Sequence, residues 1–161
     1  MTIPSPLCLR LIGCGLFSVF GMASIAAHAD GREKSVALLP KYQQECSSCH
    51  VAYPPDMLPA ASWQRLMNGL PQHFGADASL DPETVKQVLT WLTQHAGTGR
   101  DIGKRPPEDR ITRSSWFVKE HHEVSAATWK LPAVKSASNC AACHTRAEQG
   151  DFSERFVRIP R

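Results

Sequence analysis

The 161-residue sequence has no glycine-rich phosphate loop, no alternating apolar run of the kind that forms strands, and no long internal repeat. Nucleotide-binding folds built on a parallel sheet are therefore excluded, and the length rules out a large multidomain enzyme. Methionine is scarce: beyond residue 29 only Met57 and Met67 occur, so the C-terminal half has no methionine of its own to offer a metal. Cysteine is absent after Cys14 except in two short clusters. No lone thiol is left for nucleophilic sulfur chemistry.

Residues 1–29 have the anatomy of a cleaved secretory signal. Arg10 precedes the apolar run Leu11 to Ala27, and Ala27-His28-Ala29 ends it in a small-x-small pattern before the charged stretch from Asp30. A retained membrane anchor competes, because the run approaches the roughly 17–20 residues that span a bilayer. Leu11-Ile12-Gly13-Cys14 looks like a lipoprotein cleavage box, but only three residues of the apolar run precede Cys14. Export to the periplasm with loss of residues 1–29, and of Cys8 and Cys14 with them, is the expectation. Residues 30–161 then have a thin core, of a size that usually needs a cross-link or cofactor.

The four remaining cysteines fall as Cys46-Ser-Ser-Cys49-His50 and Cys140-Ala-Ala-Cys143-His144, so every one belongs to a Cys-x-x-Cys-His unit. The chemistry that needs this pattern is covalent attachment of c-type haem. Two thiols one helical turn apart add to the two vinyl groups as thioethers, and the next residue, histidine, is held under the iron as its proximal ligand. A shared zinc would leave both histidines unexplained and would have to join segments far apart in sequence. Simple disulfides suit an exported chain, and a thioredoxin-like motif wants a strand before it. Neither uses the histidines.

Helical signals surround the first unit. Pro40 opens a turn in which Tyr42, Cys46 and Cys49 share one face. Trp63, Leu66, Met67 and Leu70 form a second apolar stripe, stopped or kinked at Pro71. Asp81 reads as an N-cap before Pro82, and Val85, Val88, Leu89 and Leu92 form a third stripe ending at Gly97. Residues 30–97 are thus expected to form a small helical haem domain. From Thr98 to Ser115 glycine, proline and charge dominate, which reads as a linker. The rest of 98–161 has little regular patterning, so the second haem should be most of its core. Residues 30–97 carry 5 basic and 7 acidic side chains against 12 and 8 in 98–161. That excess of positive charge offsets haem propionates or, at Lys119, Arg155, Arg158 and Arg161, offers a dock for an acidic redox partner.

Function turns on the ligand opposite each proximal histidine. Met67 lies on an apolar stripe, where methionine is ordinarily core. His73 follows a helix break that can bring an imidazole to a haem face. His95 falls in the last turn of the third helix, a common place for an exposed histidine. His121 and His122 are adjacent after Trp116-Phe117. Either can reach the second haem while the other faces solvent.

The order of these features is similar to that of the small periplasmic dihaem cytochromes c of bacteria. The resemblance runs from Cys46 to about Phe156. It rests on the first haem unit with Tyr53-Pro54-Pro55, Leu58-Pro59 and Trp63, and on the segment His73-Phe74-Gly75-Ala76-Asp77-Ala78-Ser79-Leu80. Ile111-Thr112-Arg113, Trp116-Phe117, His121 and the second unit with Ala147 and Gly150 complete it. It implies an all-α fold, with an N-terminal domain like a class I cytochrome c and a C-terminal haem domain with little regular structure. Two covalent haem c groups follow, held through Cys46, Cys49, His50, Cys140, Cys143 and His144. Bis-histidine iron is implied in both, His50 with His73 and His144 with His121. Family members look like electron donors to a high-spin monohaem cytochrome c, often alongside a membrane b-type cytochrome. An electron carrier is therefore expected, with no catalytic residue, no small-molecule substrate and no nucleic acid partner. The alternative is a haem enzyme or gas-binding protein with one five-coordinate iron.

Overall fold

The structure, a computed structural model, describes residues 36–161. The expected signal segment 1–29, with the anchor and lipoprotein readings that compete for it, lies outside the described residues. The fold is all-α. Among the described residues there is no strand, only isolated bridges at His73–Ala76 and His144–Val157. No helix among them is long and apolar enough to cross a membrane.

Three helices enclose the first core. α1 (Pro40–Cys46) starts on proline, whose fixed φ suits a first helical position and whose missing N–H costs nothing there. It buries Tyr42, whose hydroxyl donates to the Tyr53 carbonyl at 2.9 Å. α2 (Ala60–Asn68) turns Ser62, Trp63 and Met67 inward, and the Trp63 indole N–H donates to the Pro55 carbonyl at 2.7 Å. Gly69 caps α2, so Pro71 does not kink it but lies in a separate 3-10 turn, Leu70–Gln72. α3 (Pro82–Gln94) is capped by Asp81, whose carboxylate accepts from the Thr84 N–H at 3.0 Å. Val88 and Leu92 on its inner face are fully buried against α2. The helix ends at Gln94, short of Gly97. That glycine serves close packing instead, because a Cβ there would collide with the Asp56 carbonyl and Ile102.

The C-terminal half is short helix and turn. α4 (Ser115–Glu120) is capped by the Ser114 hydroxyl, which accepts from Phe117 N–H, and α5 (Ala126–Trp129) by Ser125, which accepts from Thr128 N–H. Its buried apolar side chains are few: Pro106, Phe117, Val134 and Ala147.

The segment with linker composition is anchored rather than loose. Asp109 is buried, and its carboxylate accepts from Ser62 Oγ at 2.7 Å and from Arg65 Nη2 and Nε at 2.7 and 2.9 Å, with Arg105 Nη2 at 3.2 Å. The Arg65 fork gives two parallel charge-assisted bonds, the strong geometry for this pair. Glu108 and Asp109 adopt left-handed φ values of 56° and 55°, which L side chains rarely hold without such fixing. Trp116 adds a second tie, its indole donating to the Met57 carbonyl at 3.2 Å.

The Arg65 guanidinium holds the Asp109 carboxyl at about 2, below its ordinary 3.8. A folded pKa below the unfolded one contributes stability that is complete above 3.8 and lost as pH falls through about 2. Asp109→Asn keeps a residue that tolerates the left-handed backbone but removes the charge. It should cost about 1–3 kcal/mol at neutral pH. Urea unfolding of the holoprotein is the check, and the variant should lose less stability than the wild type between pH 4 and pH 2.

Candidate haem sites

Each Cys-x-x-Cys-His unit adjoins a short helical turn. Cys46 closes α1, and Cys140 opens the 3-10 turn Cys140–Ala142, after which His144 N–H bonds to the Cys140 carbonyl at 2.8 Å. The four sulfurs are unpaired. Burial pushes the Cys46 and Cys140 thiols up to about 11 and raises Cys143, so without a partner they are held as neutral thiols. Among the described residues no group of three or more His, Cys, Asp or Glu side chains is gathered to hold a metal ion.

His73 reaches the first unit from the turn after α2. Its own N–H is bonded to the Leu70 carbonyl, and Phe74 and Gly75 then take left-handed φ values of 51° and 96° that reverse the chain. The reversal leaves the His73 ring 6.2 Å from that of His50, centre to centre. At the second unit, α4 presents His121 as its C-cap, stacked on Phe117 four residues earlier at 4.0 Å. The His121 and His144 rings are 6.0 Å apart. Two imidazoles bonded through nitrogen to opposite sides of one metal ion have ring centres about 6 Å apart, given a bond of about 2 Å on each side. The interplanar angle is 28° in the first pair and 64° in the second.

The hydrogen bonds fit the same use. His50 Nδ1–H donates to the Val51 carbonyl at 2.7 Å and His121 Nδ1–H to the Phe117 carbonyl at 2.9 Å, which leaves Nε2 of each as the nitrogen with a free lone pair. His73 and His144 bury Nδ1 with no hydrogen-bond partner, an arrangement a purely structural histidine avoids. Burial lowers the pKa of both, helped by the charges of His50 and Arg110 at His73 and of His121 at His144. The Phe152 backbone acts weakly the other way on His144, without closing a bond to Nδ1. The lowered pKa favours the neutral form of both rings, the form that binds metal.

The other candidates are placed elsewhere. His95 Nδ1 bonds to the Trp91 carbonyl at 2.8 Å, so this ring serves the end of α3. His122 is exposed, bonded to the Lys119 carbonyl and 3.9 Å from Glu123. Met67 is buried in the first core, and Met57 contributes the carbonyl that Trp116 uses. A groove bordered by Cys49, His50, Asn139 and Ala141 separates the two haem-attachment segments.

The family model for dihaem cytochrome c matches residues 42–152. The chain belongs to the dihaem cytochrome c family. It is 38% identical to the dihaem cytochrome c of Shewanella baltica, with a TM-score of 0.65 over 75% of this chain and 92% of that one. It is 42% identical to a dihaem cytochrome c from Rhodobacter sphaeroides, with a TM-score of 0.64 over 73% of this chain and all of that one. None of the curated proteins compared with it matches. As a dihaem cytochrome c the chain carries two covalently bound haem c groups and is an electron-transfer haem protein.

The sequence places Phe117 four residues before His121, where two side chains on one helix are neighbours. Phe152, 5.3 Å from His144, and Arg146, 3.7 Å above the Phe156 ring, come from the tail and are set by its return across the second unit. With so few apolar side chains behind it, that unit should depend on its haem for order. In a Cys140→Ala, Cys143→Ala double variant, limited proteolysis should cut first within residues 126–161 while residues 40–95 resist, as read by mass spectrometry of the fragments.

Proposed function

We propose that this dihaem cytochrome c is a periplasmic carrier in which both irons are closed by two histidines, His50 with His73 and His144 with His121. The observation that carries the reading is the pair of facing imidazoles at each attachment segment, at 6.2 and 6.0 Å. Each haem supplies a one-electron ferric–ferrous couple. His50, His73, His121 and His144 would hold the two irons and exclude exchangeable ligands, and burial favours the neutral form of His73 and His144. Two imidazoles leave the iron at a lower potential than a methionine–histidine pair does, and burial with second-sphere hydrogen bonds adjusts it further.

The donor in this reading is a membrane b-type cytochrome and the acceptor a soluble, high-spin monohaem cytochrome c. The net positive charge of residues 98–161 supports docking of an acidic partner there. The apolar run and small-x-small end of residues 11–29 support export.

The oxidised holoprotein should be low-spin, lack the methionine–iron charge-transfer band, and be unaffected by carbon monoxide once reduced. His73→Ala and His121→Ala should each open one iron, so that carbon monoxide shifts about half of the Soret absorbance. His122→Ala should leave the spectrum unchanged. Carbon monoxide binding by the wild type would move the open-iron enzyme or gas-binding reading to the front, and closed variants would displace His73 or His121 as ligands.

A further inference from the structure

Glu108, Arg110 and Arg113 form a charged cluster beside the first site that stability does not explain. The Arg110 guanidinium lies over the Phe74 ring, 4.2 Å from its centre, in a cation–π contact. That same ring meets the His73 imidazole edge-on at 4.9 Å. The positive charge is thus two van der Waals contacts from the His73 ring. Arg110 Nε also donates to Glu108 Oε2 at 3.2 Å, and Glu108 Oε1 accepts from Arg113 Nη1 at 2.6 Å. All three side chains are about half exposed, and exposed ion pairs add little stability. Nor are they needed to hold the segment, because the neighbouring Asp109 already anchors it through Ser62, Arg65 and Arg105. With Asp109 turned inward and Glu108 and Asp109 both left-handed, Glu108 and Arg110 are set side by side. Arg113 and Arg110 hold the Glu108 carboxyl below its ordinary 4.5, so it keeps its negative charge at neutral pH.

We propose that Arg110, held over Phe74, favours the reduced state of the iron that His50 and His73 close, and that Glu108 limits the effect. The inference rests on the bis-histidine reading above and adds what sets the potential of one site. Reduction places one electron, delivered by the carrier's donor, on a ferric centre. A nearby cation stabilises that added charge and a nearby anion opposes it. Arg110 and Glu108 keep their charges through the step, no bond forms or breaks, and no proton moves. Arg110 acts through Phe74 and His73, which makes it a positioning residue. The Phe74 ring occupies space where water would screen the charge. At the second site Arg146 and Arg155 lie over Phe156, whereas the phenylalanine rings against the histidines are Phe117 and Phe152. The effect of Arg110 is therefore local to the first iron.

Potentiometric titration of the holoprotein, followed in its optical spectrum, reads both couples, and the couple that His73→Ala displaces belongs to the first haem. In Arg110→Gln that couple should move to lower potential, so that its ferrous-to-ferric ratio at a fixed applied potential falls several-fold. In Glu108→Gln it should move to higher potential. Arg110→Lys keeps the charge and should stay near the wild type. The second couple should hold its place in all three. A loosened His73 turn would move both neutral variants in the same direction, so opposite signs separate the field of the charges from a structural effect. A first couple unmoved in either neutral variant, shifts of the same sign, or equal movement of the second couple overturns the proposal. The bis-histidine reading fails separately, through carbon monoxide binding in the unmutated protein.

Discussion

The structure turns on the approach of two imidazoles at each attachment segment, with ring centres 6.2 and 6.0 Å apart. One ring of each pair is delivered by the attachment motif, so its place is fixed by sequence. The other must come from a different element at the right height, and the chain solves this twice by different means. A strained left-handed reversal at Phe74 and Gly75 follows His73, whereas a short capped helix ends on His121. In both cases the backbone cost is local and the aromatic neighbours, Phe74 and Phe117, hold the ring from one side.

The two halves meet the demand with unequal resources. The first has α1, α2 and α3, a buried tryptophan and two fully buried aliphatic residues on α3, enough to define a core by itself. The second places only a few apolar residues out of water and leans on the first through Asp109, Trp116 and Tyr53. A half with so little regular structure and so small an apolar core is of the kind that a bound cofactor or a cross-link ordinarily completes.

Local rules made much of this legible before any coordinates. The proline and aspartate at the start of α1 and α3, the stripe of α2 and the two cysteine motifs each follow from chemistry within a few residues. What stayed hidden was tertiary. Nothing next to Asp109 says that it will be buried, because its partners Ser62 and Arg65 belong to a helix more than forty residues earlier. The choice between His121 and His122 likewise depends on which one stacks over Phe117 and faces His144, and neighbouring residues of one type carry no local difference. Gly97 invited reading as a helix end when its role was to let the chain pass Asp56.

The ties between the halves are spread along the chain rather than gathered at one point: Tyr53 to Ser138, Met57 to Trp116, and Ser62 with Arg65 to Asp109. A body clamped at three separated places has no hinge to swing on. For a protein whose work is to accept and release charge, this means that few nuclei need to shift when the charge changes. The reorganisation energy charged to each transfer is then set by solvent and partner more than by the polypeptide, and speed is gained from stiffness rather than from driving force.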